Sequence, residues 1–141
     1  MLFRSVRSVV EARGHGNAVN MWGPYDSAAW SANDPYVQAD KLRGTAIYLS
    51  SGSGAPGPYD VIGAPGIGND YKKLAEQIAV GAVIEAATDT CSHQMQARLS
   101  ALDIPATYNF RPTGTHSWQY WQNDMHDSWK VIGPSLGLAA E

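Results

Sequence analysis

Of the 141 residues only Cys91 is a cysteine, which rules out an internal disulfide and a cysteine-rich metal site. No apolar run approaches the roughly 18 residues a membrane-spanning helix needs. The formal net charge is −3, and no cluster of basic residues exceeds the pair Lys72 and Lys73, so the basic footprint of a nucleic-acid partner is missing. The opening MLFRSVRSVVEARG carries positive charge but lacks the apolar stretch of about 7–15 residues that defines a signal peptide. Gly63-Ala64-Pro65-Gly66-Ile67-Gly68 has neither the dinucleotide-loop spacing nor the Lys-Ser/Thr of a phosphate loop. His15, His93 and His126 show no metal-ligand spacing, so neither a metal nor a cofactor is expected. Most consequential is the lack of a G-x-S-x-G nucleophile elbow.

What is present is a composition ordinary for a globular protein, 44% hydrophobic and 16% charged. A chain of this length that folds alone buries roughly 70% of its unfolded surface, so a core is possible. Of five tryptophans, Trp118, Trp121 and Trp129 crowd together and suggest an aromatic wall near one site. Glycine and proline concentrate between Gly52 and Gly68, the mark of a long, irregular and often functional loop.

Local patterns predict helix over residues 1–13, loop from Asn17 to Asn33 with a rigid turn at Met21-Trp22-Gly23-Pro24, and a helix from the Asp34-Pro35 start to about Leu42. Thr45 to Ser50 reads as a buried strand. Residues 70–102 read as helix with a break near Gly81, and Ala87, Cys91, Met95, Leu99 and Leu102 form its apolar stripe. Ala106 to Arg111 reads as a second strand, and about Ser117 to Val131 as the last helix. Strand–helix–strand at this spacing implies a parallel pair with a right-handed crossover. Two strands make no stable sheet, and a parallel sheet needs cover on both faces. The fold class expected is therefore α/β with an incomplete sheet, the end of a larger structure.

The sharpest motif is Gly114-Thr115-His116-Ser117-Trp118-Gln119-Tyr120-Trp121, which follows a strand and opens a helix. Ligands of open α/β sheets bind beyond the carboxyl ends of the strands, where a histidine suits acid–base work. Taken alone, His116 is equally a surface histidine with a satisfied hydrogen bond, and Glu85 a solvated glutamate on a helix.

With Met21-Trp22-Gly23-Pro24, Ala29-Trp30, Asn33-Asp34-Pro35, Lys41-Leu42, Gly52-Ser53-Gly54, Glu85 and Phe110-Arg111-Pro112-Thr113, that motif resembles the mycolyltransferases, the acyl-transferring esterases of mycolic-acid bacteria, from about residue 17 to 130. The resemblance implies the C-terminal portion of an α/β-hydrolase fold: residues 1–141 as a partial domain lacking the N-terminal half. It implies a Ser–Glu–His triad whose histidine is His116 and whose acid is Glu85, in the chain order usual for hydrolases. Asp60, in the loop after the first strand, is the other candidate acid. Trp118 is expected to line a sugar pocket, with Trp121 beside it. The nucleophilic serine and the oxyanion donors are expected outside this chain; Ser50, Ser51 and Ser53 follow a strand but lack the elbow pattern.

The implied reaction moves a long acyl chain through an acyl-serine between trehalose esters, outside the cell or in its envelope, with a lipid ester as substrate and the missing N-terminal half as partner. Three other readings stay open: a truncated non-catalytic remnant, a module whose tryptophans hold carbohydrate or protein, and a simple carboxylesterase. Where the family often carries a cysteine at the end of the first strand, this sequence has serine.

Overall fold

In a computed structural model, the structure describes Glu11 and residues 16–138. The helix expected over residues 1–13 lies outside the described residues, Glu11 apart. The described elements are α1 (Val19–Trp22), α2 (Ala28–Ala32), a 3-10 turn (Ala39–Leu42), β1 (Tyr48–Gly52), α3 (Tyr71–Glu76), a π-helical segment (Gln77–Gly81), α4 (Ala82–Ala101), β2 (Thr107–Arg111) and α5 (Trp118–Ser135).

β1 and β2 pair in parallel, with Tyr48 opposite Thr107 and Gly52 opposite Arg111. The link from β1 to β2 is the helical run α3–π–α4, so the fold is α/β with a two-stranded, incomplete sheet. The glycine–proline segment between β1 and α3 is loop throughout, as its composition predicts. Asp70 caps α3, its carboxylate accepting from Lys73 N at 3.0 Å.

The described residues form two compact units, one of those up to 45 together with 93–105, the other of 46–92 together with 106–138. In the first, Trp30 lies edge-on to Trp22 with ring centroids 5.2 Å apart, and its indole N–H donates to the carbonyls of Gly23 and Pro24 at 3.0 Å. Ala18, Ala39, Leu99 and Ile104 are buried there. In the second, the strands, the π segment and α5 gather the polar residues described below.

Three sequence expectations are corrected. Residues 17–33 are not loop: Asn17 accepts from Val19 N to start α1, and Ser27 caps α2 by accepting from Ala29 N. Each helix is only four or five residues long, too short to show a periodic pattern. The segment from Asp34 to Leu42 is not one helix: Asp34 Oδ1 accepts from Tyr36 N in a turn, and only the 3-10 turn follows before Gly44 at φ 80°. So short a stretch cannot offset the cost of nucleating an α-helix. On α4, Ala87 and Cys91 of the predicted stripe are half-buried, whereas the buried positions are Glu85, Ser92, Met95 and Leu99. The buried face is thus polar toward the N-terminal end, where it meets the strand ends.

Candidate active site

β1 ends at Gly52 and β2 at Arg111, side by side, and the loop after β2 carries His116. Glu85 reaches this corner from the first turn of α4. It is 2% exposed, so its carboxylate must be partnered. Oε2 lies 2.8 Å from His116 Nδ1, and Oε1 accepts from the Gly52 backbone N–H at 2.7 Å. A carboxylate only accepts, so this contact assigns the proton of the neutral imidazole to Nδ1 and leaves Nε2 as its lone-pair nitrogen. Arg111 Nη2 stands 3.7 Å from Glu85 Oε1, and Nη1 of the same guanidinium bonds Asp124 on α5.

His116 is 34% exposed at its side chain. Its ring lies edge-on to Trp121, with centroids 4.5 Å apart, and Trp121 in turn lies edge-on to Trp118 at 6.1 Å. Trp118 is 68% exposed. A groove of about 290 Å3 runs on from Trp121 past Tyr48, Ser50, Met125 and Ser128.

Backbone approach at the corner is close. The His116 N–H donates to the Gly81 carbonyl at 3.2 Å, and a Cβ on Gly81 would lie 3.1 Å from His116 N and 3.2 Å from Thr115 Cβ. The wider π turn that ends at Gly81 is a rare form, met most often as a single turn at functional sites. Gly52 is tighter still: a Cβ there would meet the Gly114 carbonyl oxygen at 2.5 Å.

Asp60 is buried but does not contact His116. Its carboxylate accepts from Gly57 N at 2.8 Å, from Gln77 Nε2 at 2.7 Å, from Tyr120 Oη at 2.7 Å and from the Thr115 hydroxyl. Burial alone would raise its pKa, but these four donors outweigh burial and hold it below the ordinary value. The Tyr120 phenol moves the other way, pushed up to about 12 by burial and by its bond to Asp60.

Two of the serines at the end of β1 and just beyond it are engaged elsewhere: Ser51 Oγ donates to Asp89 at 2.7 Å, and Ser53 Oγ to the Pro112 carbonyl at 2.7 Å. Among the described residues no group of three or more His, Cys, Asp or Glu side chains could hold a metal ion, and no helix is long and apolar enough to cross a membrane. Thus Glu85, His116 and Trp121 come together, Trp118 lies at the rim, and Asp60 sits in a separate network behind the histidine loop. Sequence reasoning assigned no role to Arg111, Thr115, Tyr120 or Gly81. The signal for Arg111 was a charged residue closing the second strand, directly before Pro112.

The family model for esterases matches residues 5–130. Over 111 residues the chain is 32% identical to diacylglycerol acyltransferase/mycolyltransferase Ag85C of Mycobacterium leprae (strain TN), covering 77% of this chain and 29% of that protein. Over 123 residues it is 32% identical to diacylglycerol acyltransferase/mycolyltransferase Ag85A of Mycobacterium ulcerans, covering 85% of this chain and 32% of the relative. A further Ag85C, from Mycobacterium avium, is 31% identical over 112 residues. The chain therefore spans about a third of the length of the curated relatives it matches.

Proposed function

The chain belongs to the esterase family, and from that premise we propose that it supplies the general base and the orienting acid, His116 and Glu85, of a serine esterase that transfers acyl chains. The observation that carries this reading is Glu85 itself: a buried carboxylate held by Gly52 N through one oxygen and turned onto His116 Nδ1 with the other.

The chemistry follows from that geometry. With Nδ1 bonded to Glu85, the lone pair of Nε2 is free to take the proton of a serine hydroxyl as its oxygen attacks the ester carbonyl carbon. Glu85 stabilises the imidazolium that results. The imidazolium returns the proton to the departing alkoxide, leaving an acyl-serine. An acceptor hydroxyl, or water, then gives its proton to Nε2 and attacks the acyl carbon, and the imidazolium passes that proton to the departing serine oxygen. The serine belongs to a segment with a G-x-S-x-G elbow, which this chain lacks, so the chain alone turns over no ester.

By its relatives' names the reaction is an acyltransferase or mycolyltransferase reaction, with a lipid ester as donor. The exposed Trp118 beside Trp121 offers flat apolar faces of the kind that pack on a sugar acceptor such as trehalose. The same reading puts its site of action outside the cell or in its envelope. Hydrolysis and transfer differ only in which acceptor reaches the acyl-enzyme, so p-nitrophenyl ester turnover with and without trehalose separates a plain carboxylesterase from a transferase.

The deciding experiment measures ester turnover by a polypeptide carrying both this chain and an elbow serine. His116→Ala and Glu85→Ala are each expected to lower kcat by about 10⁴-fold. Unchanged turnover in the histidine variant rejects the reading. The exposure of Trp118 also favours a second reading, carbohydrate binding without chemistry. That reading predicts saccharide quenching of tryptophan fluorescence that survives His116→Ala and Glu85→Ala.

A further inference from the structure

The polar residue that gathers the most of this corner is one the reaction above does not use. Asp60 is 4% exposed and accepts four hydrogen bonds from three parts of the chain: its own loop at Gly57, the π segment at Gln77, and the histidine loop and α5 at Thr115 and Tyr120. Thr115 is fully buried and immediately precedes His116. Tyr120 Oη also accepts from Tyr59 N at 3.2 Å, and the Tyr120 ring packs under the Arg111 guanidinium at 5.3 Å and edge-on to Tyr59.

We propose that Asp60 is a positioning residue for the His116–Glu85 pair, holding the residue before the histidine and the helical turn before the glutamate on one carboxylate. Glu85 follows the π segment by one turn, so the bond from Gln77 fixes the start of the segment that leads into the acid's helix. The bond from Thr115 fixes the backbone from which the imidazole projects. The His116 N–H to Gly81 carbonyl bond closes the same frame at the other end of the π segment. Without Asp60, nothing polar holds Thr115 Oγ1, a buried hydroxyl, among the described residues, and the loop is tied to the π segment by the His116 N–H bond to Gly81 without a side-chain brace beside it. The role deepens the proposed function and rests on it, because it matters only if His116 and Glu85 act as a pair.

The test needs no turnover. In the chain as it stands, the His116 Nδ1 proton donated to Glu85 is observed by NMR as a downfield imidazole resonance, and its exchange with water is timed. Asp60→Asn offers an amide of the same shape that cannot accept all four bonds, and Thr115→Val removes a single donor at nearly constant volume. Either change is expected to speed exchange of the His116 proton by about tenfold or more. Thr115→Ser, which keeps the hydroxyl, is expected to restore the slow rate. If Asp60→Asn does not fold, Thr115→Val against Thr115→Ser decides. Exchange that is unchanged in Thr115→Val overturns the positioning role while leaving the pair intact. A parent chain with no such resonance instead overturns the pairing of His116 with Glu85.

Discussion

The buried acids at this corner depend on donors, and pH is the lever that exposes the dependence. Asp60 has a folded pKa below its ordinary value of 3.8, so it contributes stability above that value and loses it as the pH falls through the folded pKa. Tyr120 behaves oppositely: its pKa rises from 10.0 to about 12 on folding, so its contribution is complete below pH 10 and lost between about 10 and 12. Urea unfolding of Tyr120→Phe is expected to show a loss of about 1–3 kcal/mol at neutral pH, from the missing donor to a charged acceptor. Its stability should also fall less steeply than the parent's above pH 10; parallel alkaline limbs would reject the role given to the phenol. None of this was legible in sequence. His116 was, because its neighbours form a dense local motif, but Asp60 and Thr115 stand 55 positions apart and nothing local joins them. Without the family resemblance Glu85 reads as a solvated glutamate for the same reason: the groups around it, Gly52, Arg111 and His116, come from distant strands and loops.

Among elements, those with long patterns were read correctly and those set by a few capping bonds were not. The strand–helix–strand order, the loop of residues 53–70 and the irregularity near Gly81 followed from hydrophobic runs and from glycine and proline placement. The short α1 follows an Asn17 side-chain turn and α2 a Ser27 cap, which no periodicity announces. Two glycines at element ends have different tolerances. At Gly52 an added Cβ would sit 2.5 Å from a backbone carbonyl oxygen that has no room to retreat, so Gly52→Ala is expected to cost about 1–3 kcal/mol in thermal or urea unfolding. At Gly81 the nearest contact is 3.1 Å, and an alanine in a helix recovers about 0.5–1 kcal/mol of backbone entropy. Gly81→Ala is therefore expected to leave stability within about 1 kcal/mol while displacing the histidine loop. A melting temperature far below that of Gly52→Ala would contradict this ordering.

Across the whole chain, the incomplete sheet was legible because the sequence holds only two strand patterns, and two parallel strands cannot cover themselves. The division into two compact units was not legible, since α4 is continuous and belongs to the second unit up to Ser92 and to the first from His93. That continuity gives the π segment a wider reach than its five residues. An α-helix advances about 100° per residue, and a π turn holds roughly one residue more than an α turn. The segment therefore acts as an angular offset, setting the azimuth of every side chain that follows. Deleting the exposed Val80 would let the turn close as an α turn with Glu85 at nearly the same azimuth, whereas keeping all five residues and tightening them to α geometry would swing Glu85 by about a quarter-turn. Loss of the wide turn with its residues kept would thus unseat the acid from His116.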